Sequence, residues 1–181
     1  MSRVFRQQRG FSLTELLLVV AVAGTLAAVA VPLSGNLMAT MKLNEASRTI
    51  EREFAEARLR AVSSNRAIRV RTNCPAVGYV RSVEFLSSTA DSAANRCLNS
   101  AYPFPPDDDL MTRPNYDGPV RKIPNDATVT TITYQFQPDG TVFNVVNNVV
   151  TAMTTEQTVT ISRVNQSRTV RVNSAGKIQL Q

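Results

Sequence analysis

From Leu16 to Leu33 the chain carries no charged residue. With Phe11 to Glu15 in front, the apolar stretch is 23 residues long. As a helix it measures about 34 Å, enough to cross the hydrocarbon core of a bilayer. One carboxylate, Glu15, lies inside its front end. A charge at such depth costs about 2.5–3.5 kcal/mol and calls for a partner. Beyond Pro32 the pattern changes. Leu43, Ala46, Ile50, Phe54, Ala57 and Ala61 step by three or four residues and predict one apolar stripe on a helix that ends near Ser63. The other faces carry charge, with Arg52–Glu56 and Glu56–Arg60 spaced to pair. Such pairs contribute only tenths of a kcal/mol, so burial of the stripe has to hold this half. Pro32 predicts a local break in the helical hydrogen bonding, and Gly35-Asn36 weakens the same region.

After Ser63-Ser64-Asn65 the period becomes two. Ala67-Ile68-Arg69-Val70-Arg71 alternates as a strand with one wet face does, and Arg81 to Leu86 reads as a second strand. Ser87 to Arg96 is small and polar, a loop. Tyr102 to Pro124 holds six prolines and three successive aspartates. It cannot be a central strand, and is expected to be a long surface connection. Strands return at Thr128–Gln137 and Thr141–Val146, joined by Pro138-Asp139-Gly140. There proline presets φ and glycine accepts a positive φ. Asn147-Asn148 is a further turn, Thr158–Val164 and Thr169–Val172 flank Asn165-Gln166-Ser167, and Ser174-Ala175-Gly176 leads into Lys177–Leu180. The expected fold class is α+β, with a long N-terminal helix packed through its amphipathic half on an antiparallel β domain. The expected divisions are residues 1–10, 11–33, 34–64 and 65–181.

The run Gly10-Phe11-Ser12-Leu13-Thr14-Glu15-Leu16-Leu17-Leu18-Val19-Val20 resembles the class III leader and N-terminal helix of type IV pilins and pseudopilins. The resemblance implies that residues 1–10 are a leader. It implies that a membrane-embedded prepilin peptidase cuts between Gly10 and Phe11, and that Phe11 is then N-methylated. It makes Glu15 the fifth mature residue, the filament-assembly glutamate, and Pro32 falls where many pilins kink this helix. Thr14 departs from the pattern, standing where an apolar residue is commoner. An ordinary secretory signal has a shorter apolar core, followed by its cleavage site. Here Gly10 precedes the run. A signal anchor without assembly function is the other alternative. A narrower resemblance covers the second half. Tyr134-Gln135-Phe136-Gln137-Pro138-Asp139-Gly140-Thr141, the paired strands up to Val172, Gly176-Lys177-Ile178 and the helix end Glu53 to Arg71 are similar to GspH/FimT-type minor pseudopilins.

Charge and cysteines take their meaning from that frame. The net charge of +6 falls to +3 once the leader's Arg3, Arg6 and Arg9 are set aside, and this alone does not argue for nucleic acid. Leader arginines held in the cytoplasm place the C-terminal part across the inner membrane, in the periplasm. Cys74 and Cys97 suit a disulfide in such a compartment. Two unpaired buried thiols are the alternative.

The chain has no histidine. Ser-His-Asp, Cys-His and His-metal sites are therefore excluded within it. No glycine-rich phosphate loop and no convergent carboxylate pair is visible, so neither an enzyme nor a cofactor is expected. Asp107-Asp108-Asp109 lacks the alternating ligands of a calcium loop and reads as a solvated acidic stretch. Arg66, Arg69 and Arg71 with Arg168, Arg171 and Lys177 could offer a basic face to DNA phosphates. Some FimT-like proteins bind DNA through a Gly-Arg-x-Arg motif. Here the corresponding place reads Gly176-Lys177-Ile178-Gln179, without the second basic residue. No aromatic side chains interleave these arginines as stacking platforms. The reading is a minor pseudopilin or minor pilin, a structural subunit at or near the tip of a type II secretion pseudopilus or a type IV pilus. Its partners are other pilins, the prepilin peptidase, the inner-membrane assembly platform and the membrane. The alternative is a DNA-binding minor pilin.

Overall fold

The computed structural model of the chain describes residues 12–85, 97, 117–124 and 127–181. The expected cleavage point, Gly10–Phe11, the loop Ser87–Arg96 and the aspartate run Asp107–Asp109 lie outside the described residues. Helix α1 spans Leu13–Ser64 and is assigned without interruption through Pro32 and Gly35. The helical span continues past Pro32, which has no N–H to donate and so leaves one ladder hydrogen bond unmade within it. Two compact units divide at Met38/Ala39.

In the first unit Ser12 caps the helix. Its Oγ accepts from the Glu15 backbone N–H at 3.3 Å, and its carbonyl accepts from the Glu15 and Leu16 N–H groups at 3.1 Å. Serine three residues before glutamate is the spacing of a capping box. The 18-residue window Leu13–Ala30 is long and apolar enough to cross a membrane, and none of it is buried.

In the second unit the rest of α1 meets two antiparallel sheets. One has the order β3-β2-β1-β5-β6-β7, from Asp117–Lys122, Tyr79–Glu84, Ile68–Thr72, Thr133–Phe136, Val142–Val146 and Val149–Ala152. The other runs β10-β9-β8-β4, from Ile178–Leu180, Gln166–Val172, Gln157–Arg163 and Thr128–Val129. The helical stripe Leu43 to Ala61 is buried at every expected position and shares one cluster with side chains from both sheets. Phe54 anchors it, with ring centroids 5.7 Å from Tyr134 and 6.2 Å from Phe136.

Several expected boundaries move. The strand expected over Thr128–Gln137 is two strands in different sheets. Threonine side chains carry the chain across. Thr72 Oγ1 donates to the Thr130 carbonyl at 2.6 Å and accepts from the Ile132 N–H at 2.9 Å, replacing ladder bonds. Within Tyr102–Pro124, Asp117–Lys122 forms strand β3 where only a connection was expected. It lies at the sheet's edge with an irregular register, the position that tolerates Pro119. The β8–β9 turn is Val164-Asn165, one residue earlier than the expected Asn165–Ser167, because Arg163 pairs with Gln166. The Asn147-Asn148 turn is present, with φ of 50° and 63°, the signature of a primed hairpin turn.

Candidate functional site

Glu15 sits in the first turn of α1 with the apolar side chains around it exposed. Apart from Glu15 and the hydroxyls of Ser12, Thr14 and Thr25, the last donating back to the Val22 carbonyl at 2.8 Å, what this segment offers a neighbour is aliphatic surface. It can pack against lipid or other apolar helices, and its one carboxylate can serve as a polar marker of depth.

At the far end of the helix the second-half motifs converge. Arg58 donates from Nη2 to the Ala175 carbonyl at 3.3 Å and from Nε to the Gly140 carbonyl at 3.5 Å. One helical side chain thus ties the Pro138-Asp139-Gly140 turn to the Ser174-Ala175-Gly176 turn. Both glycines are required by conformation, with φ of +84° at Gly140 and +73° at Gly176. Gly176 is also required by space, since a Cβ there would lie 2.4 Å from the Gly140 carbonyl oxygen. Asp139 accepts from the Thr141 N–H at 2.9 Å and from its hydroxyl at 2.6 Å. Those bonds lower its carboxyl below the usual value. The arrangement fixes the turns of both sheets against the helix.

The basic residues do not gather on one face. Arg168 shares its sheet face with Val170 and Val172, whereas Arg171 alternates to the other face and lies 3.5 Å from Glu156. Lys177 stands beyond Val172, at the opposite end of β9 from Arg168. Arg66 is paired with Glu84. Arg69 is only 2% exposed. Its Nε donates to Gln135 Oε1 at 2.8 Å and its guanidinium stacks 4.2 Å from the Phe85 ring centroid. Arg71 donates to the Thr133 hydroxyl at 3.1 Å and to Cys97 Sγ at 2.9 Å. The wet face expected on β1 is therefore a polar layer, buried at Arg69 and half-buried at Arg71.

Cys74 and Cys97 form a disulfide. Among the described residues no group of three His, Cys, Asp or Glu side chains could hold a metal ion. Sequence reasoning missed one buried constellation. Glu53, on the helix face beside the stripe, lies 3.3 Å from Arg121 of β3 and accepts from Ser82 Oγ at 3.4 Å. Burial raises its carboxyl and Arg121 pulls the other way. Its spacing was the available signal, since it stands three residues after Ile50 and four before Ala57 of the buried stripe.

No curated protein sequence matches the chain. Two crystal forms of the Pseudomonas aeruginosa type IV minor pilin FimU resemble it in structure. One has 20% identity, covers 78% of this chain and 90% of FimU, and gives a TM-score of 0.48. The other has 21% identity, covers 77% and 92%, and gives 0.45. The prokaryotic N-terminal methylation motif matches residues 5–31. The family described as Type II transport protein GspH matches residues 46–176. With most of its length inside that match and a methylation motif in front of it, the chain belongs to the GspH family of pilin-like structural proteins.

Proposed function

We propose that the chain is a minor pilin or pseudopilin, cut between Gly10 and Phe11 by a prepilin peptidase, N-methylated on Phe11, and held in the inner membrane until an assembly platform adds it to a filament. The β domain then lies in the periplasm, and the subunit sits at or near the tip of a secretion pseudopilus or type IV pilus. One observation carries this reading. A methylation motif and a GspH domain are joined by one helix whose first half is apolar and wholly unburied while its second half is packed. A helix split in this way has surface to spare for neighbours on one half only.

Glu15 gives the reading its mechanism. After cleavage the Phe11 amine lies about one helical turn before Glu15 on the same chain. A neighbouring subunit shifted along the filament axis can present its own amine to that carboxylate. Desolvation offsets much of the attraction, so the pair acts mainly on register: an unpaired charge penalises other alignments. Glu15→Leu is expected to leave cleavage, insertion and the β domain intact while lowering recovery with filament partners. Normal copurification of that variant would overturn the docking role. A mature N-terminus other than Phe11 would overturn the processing.

A further inference from the structure

A groove of about 540 Å³ lies along one flank of α1, within the second unit. Its helix wall is Ala55, Leu59 and Val62, spaced four and three residues apart so that they share one side. Leu59 and Val62 are 70% and 50% exposed. The opposite wall is the chain at Gly176, Lys177 and Ile178, where β10 begins. β10 is the edge of its sheet. The Gln181 N–H and carbonyl both pair with Thr169, the Lys177 carbonyl accepts from the Asn173 N–H at 3.2 Å, and Gln179 is registered with Arg171. Antiparallel pairs alternate, so the backbone groups of Ile178 and Leu180 point away from β9. They have no hydrogen-bond partner among the described residues. Two donors and two acceptors therefore stand open at strand spacing. The Ile178 and Leu180 side chains pack against the core. A strand laid along this edge would continue the sheet and set its alternate side chains over Leu59 and Val62.

Exposure alone does not single out this groove. Val164 is 77% exposed, but it opens the β8–β9 turn at a φ of 54°, where a β-branched residue is an outlier, and turns offer no strand edge. Edge strand β3 of the other sheet carries Asp117, Pro119, Arg121, Lys122 and a shifted register, all of which discourage a further strand. β10 has no charge, proline or register shift between Ile178 and Leu180. Charge then says what an added strand must bring. No acidic side chain lines the groove among the described residues. Lys177 shares the exposed face of Gln179 and makes no ion pair among those residues. Arg58 is already committed to the Gly140 and Ala175 carbonyls. One uncommitted lysine among the described lining residues is sparse for a nucleic-acid backbone. A second copy meeting this edge would bring another lysine and no acid. An extended segment of a different polypeptide, apolar on one face and acidic on the other, matches all three walls.

We infer that the β10 edge accepts a β-strand from another polypeptide, with apolar side chains at alternate positions over Leu59 and Val62 and a carboxylate on the opposite face near Lys177. The inference concerns the β domain alone and goes beyond the filament reading: neither processing at Gly10 nor docking through Glu15 enters its test. The probes are peptides of about eight residues with valine and threonine alternating, one threonine replaced in turn by glutamate. They are added to the isotope-labelled full chain in detergent micelles, and amide hydrogen exchange is followed residue by residue. Exchange at Ile178 and Leu180 is expected to slow by about tenfold or more when a glutamate peptide binds. A counterpart methylated on every backbone nitrogen keeps the side chains and loses the donors, and should bind at least about tenfold more weakly. Lys177→Glu should reverse the preference, favouring peptides with lysine in place of glutamate. Leu59→Asp should weaken binding about tenfold with the urea midpoint unchanged, and Val62→Asp is the second variant should that one fold poorly. No protection of Ile178 and Leu180 by any of the peptides at about 1 mM would overturn the inference. Equal binding of the methylated counterpart would overturn strand pairing, and equal binding of lysine and glutamate peptides would overturn the acidic partner. Displacement of the peptide by a single-stranded oligonucleotide would assign the groove to nucleic acid and overturn the inference. Self-association of the chain that Leu59→Asp abolishes would assign it to a second copy, with the same consequence.

Discussion

The two halves of α1 share a backbone conformation and little else. Between Leu13 and Ala30 the side chains are aliphatic apart from Thr14, Glu15 and Thr25, and none is buried. Between Leu43 and Ala61 one stripe is almost wholly buried while the flanks carry charge. A helix that is apolar all round has no internal reason to choose one face, so its packing is left to lipid or to other subunits. A helix with one apolar stripe has already chosen, and the sheets fill that face. One continuous element can therefore hold a domain folded and still be free to assemble. The division predicts that mutations in the two halves fall into separate classes.

The largest effect tests that division directly. Phe54→Ala removes the ring that packs between Tyr134 and Phe136. It should destabilise the β domain by about 3–5 kcal/mol. Leu18→Ala, on the unburied half, should change domain stability by less than about 0.5 kcal/mol. Urea unfolding of the full chain in detergent micelles reads both. Comparable losses from the two variants would break the comparison.

The disulfide comes next. It closes a sequence separation of 23 residues, which the chain-entropy model values at roughly 3 kcal/mol. A Cys74→Ala/Cys97→Ala variant should lower the unfolding midpoint accordingly while leaving the Leu13–Ala30 segment inserted. Protease protection of that segment in vesicles checks the second half of the statement.

Val164→Gly should act in the opposite direction. Relief of the left-handed backbone conformation is worth roughly 1–2 kcal/mol, and the added freedom of glycine in the unfolded chain takes back about half. A net gain of about 0.5–1 kcal/mol is expected in the same unfolding assay. A loss would show that the valine packs to structural purpose, contrary to its exposure.

The amphipathic half was legible because its period is strict: each position from Leu43 to Ala61 that the spacing selects is buried. Hairpins with asparagine or glycine at their turns were legible for the same local reason, and Asn147, Asn148 and Gly140 adopt the positive φ their types allow. What escaped was set by tertiary context. Alternation in Ile68-Arg69-Val70-Arg71 shows which side chains share a face and not whether that face is wet, so Arg69 reads as solvated and is in fact buried on Gln135 and Phe85. Proline argued correctly against a central strand around Pro119, yet an edge strand forms there. The sheet switch after Val129 depends on threonine hydroxyls standing in for ladder partners, which no period reveals.

The smallest effect at any one pH concerns Glu53, the charged exception beside the buried stripe. Its carboxyl is raised from the ordinary value of 4.5, first by burial, with Arg121 opposing and Glu56 adding to the rise, while Ser82 and Arg121 favour the ionised form through hydrogen bonds. A raised carboxyl keeps its proton in the folded chain at pH values where the unfolded chain has lost it. The folded state then binds more protons, so stability must fall as pH climbs from the ordinary carboxylate value through the raised one. Below that window both states are protonated and the penalty is absent. Above it the penalty is complete. Glu53→Gln keeps the shape and removes the titration, so its stability relative to the parent chain should improve across the window and level off beyond it. Arg121→Ala removes the opposing charge and should carry the upper edge of the window to higher pH. Urea midpoints from about pH 4 to about pH 8 for the three proteins would show this. A parent and Glu53→Gln that track each other in parallel would mean that Arg121 compensates the buried charge fully, and the packed half of the helix would then have no polar weak point.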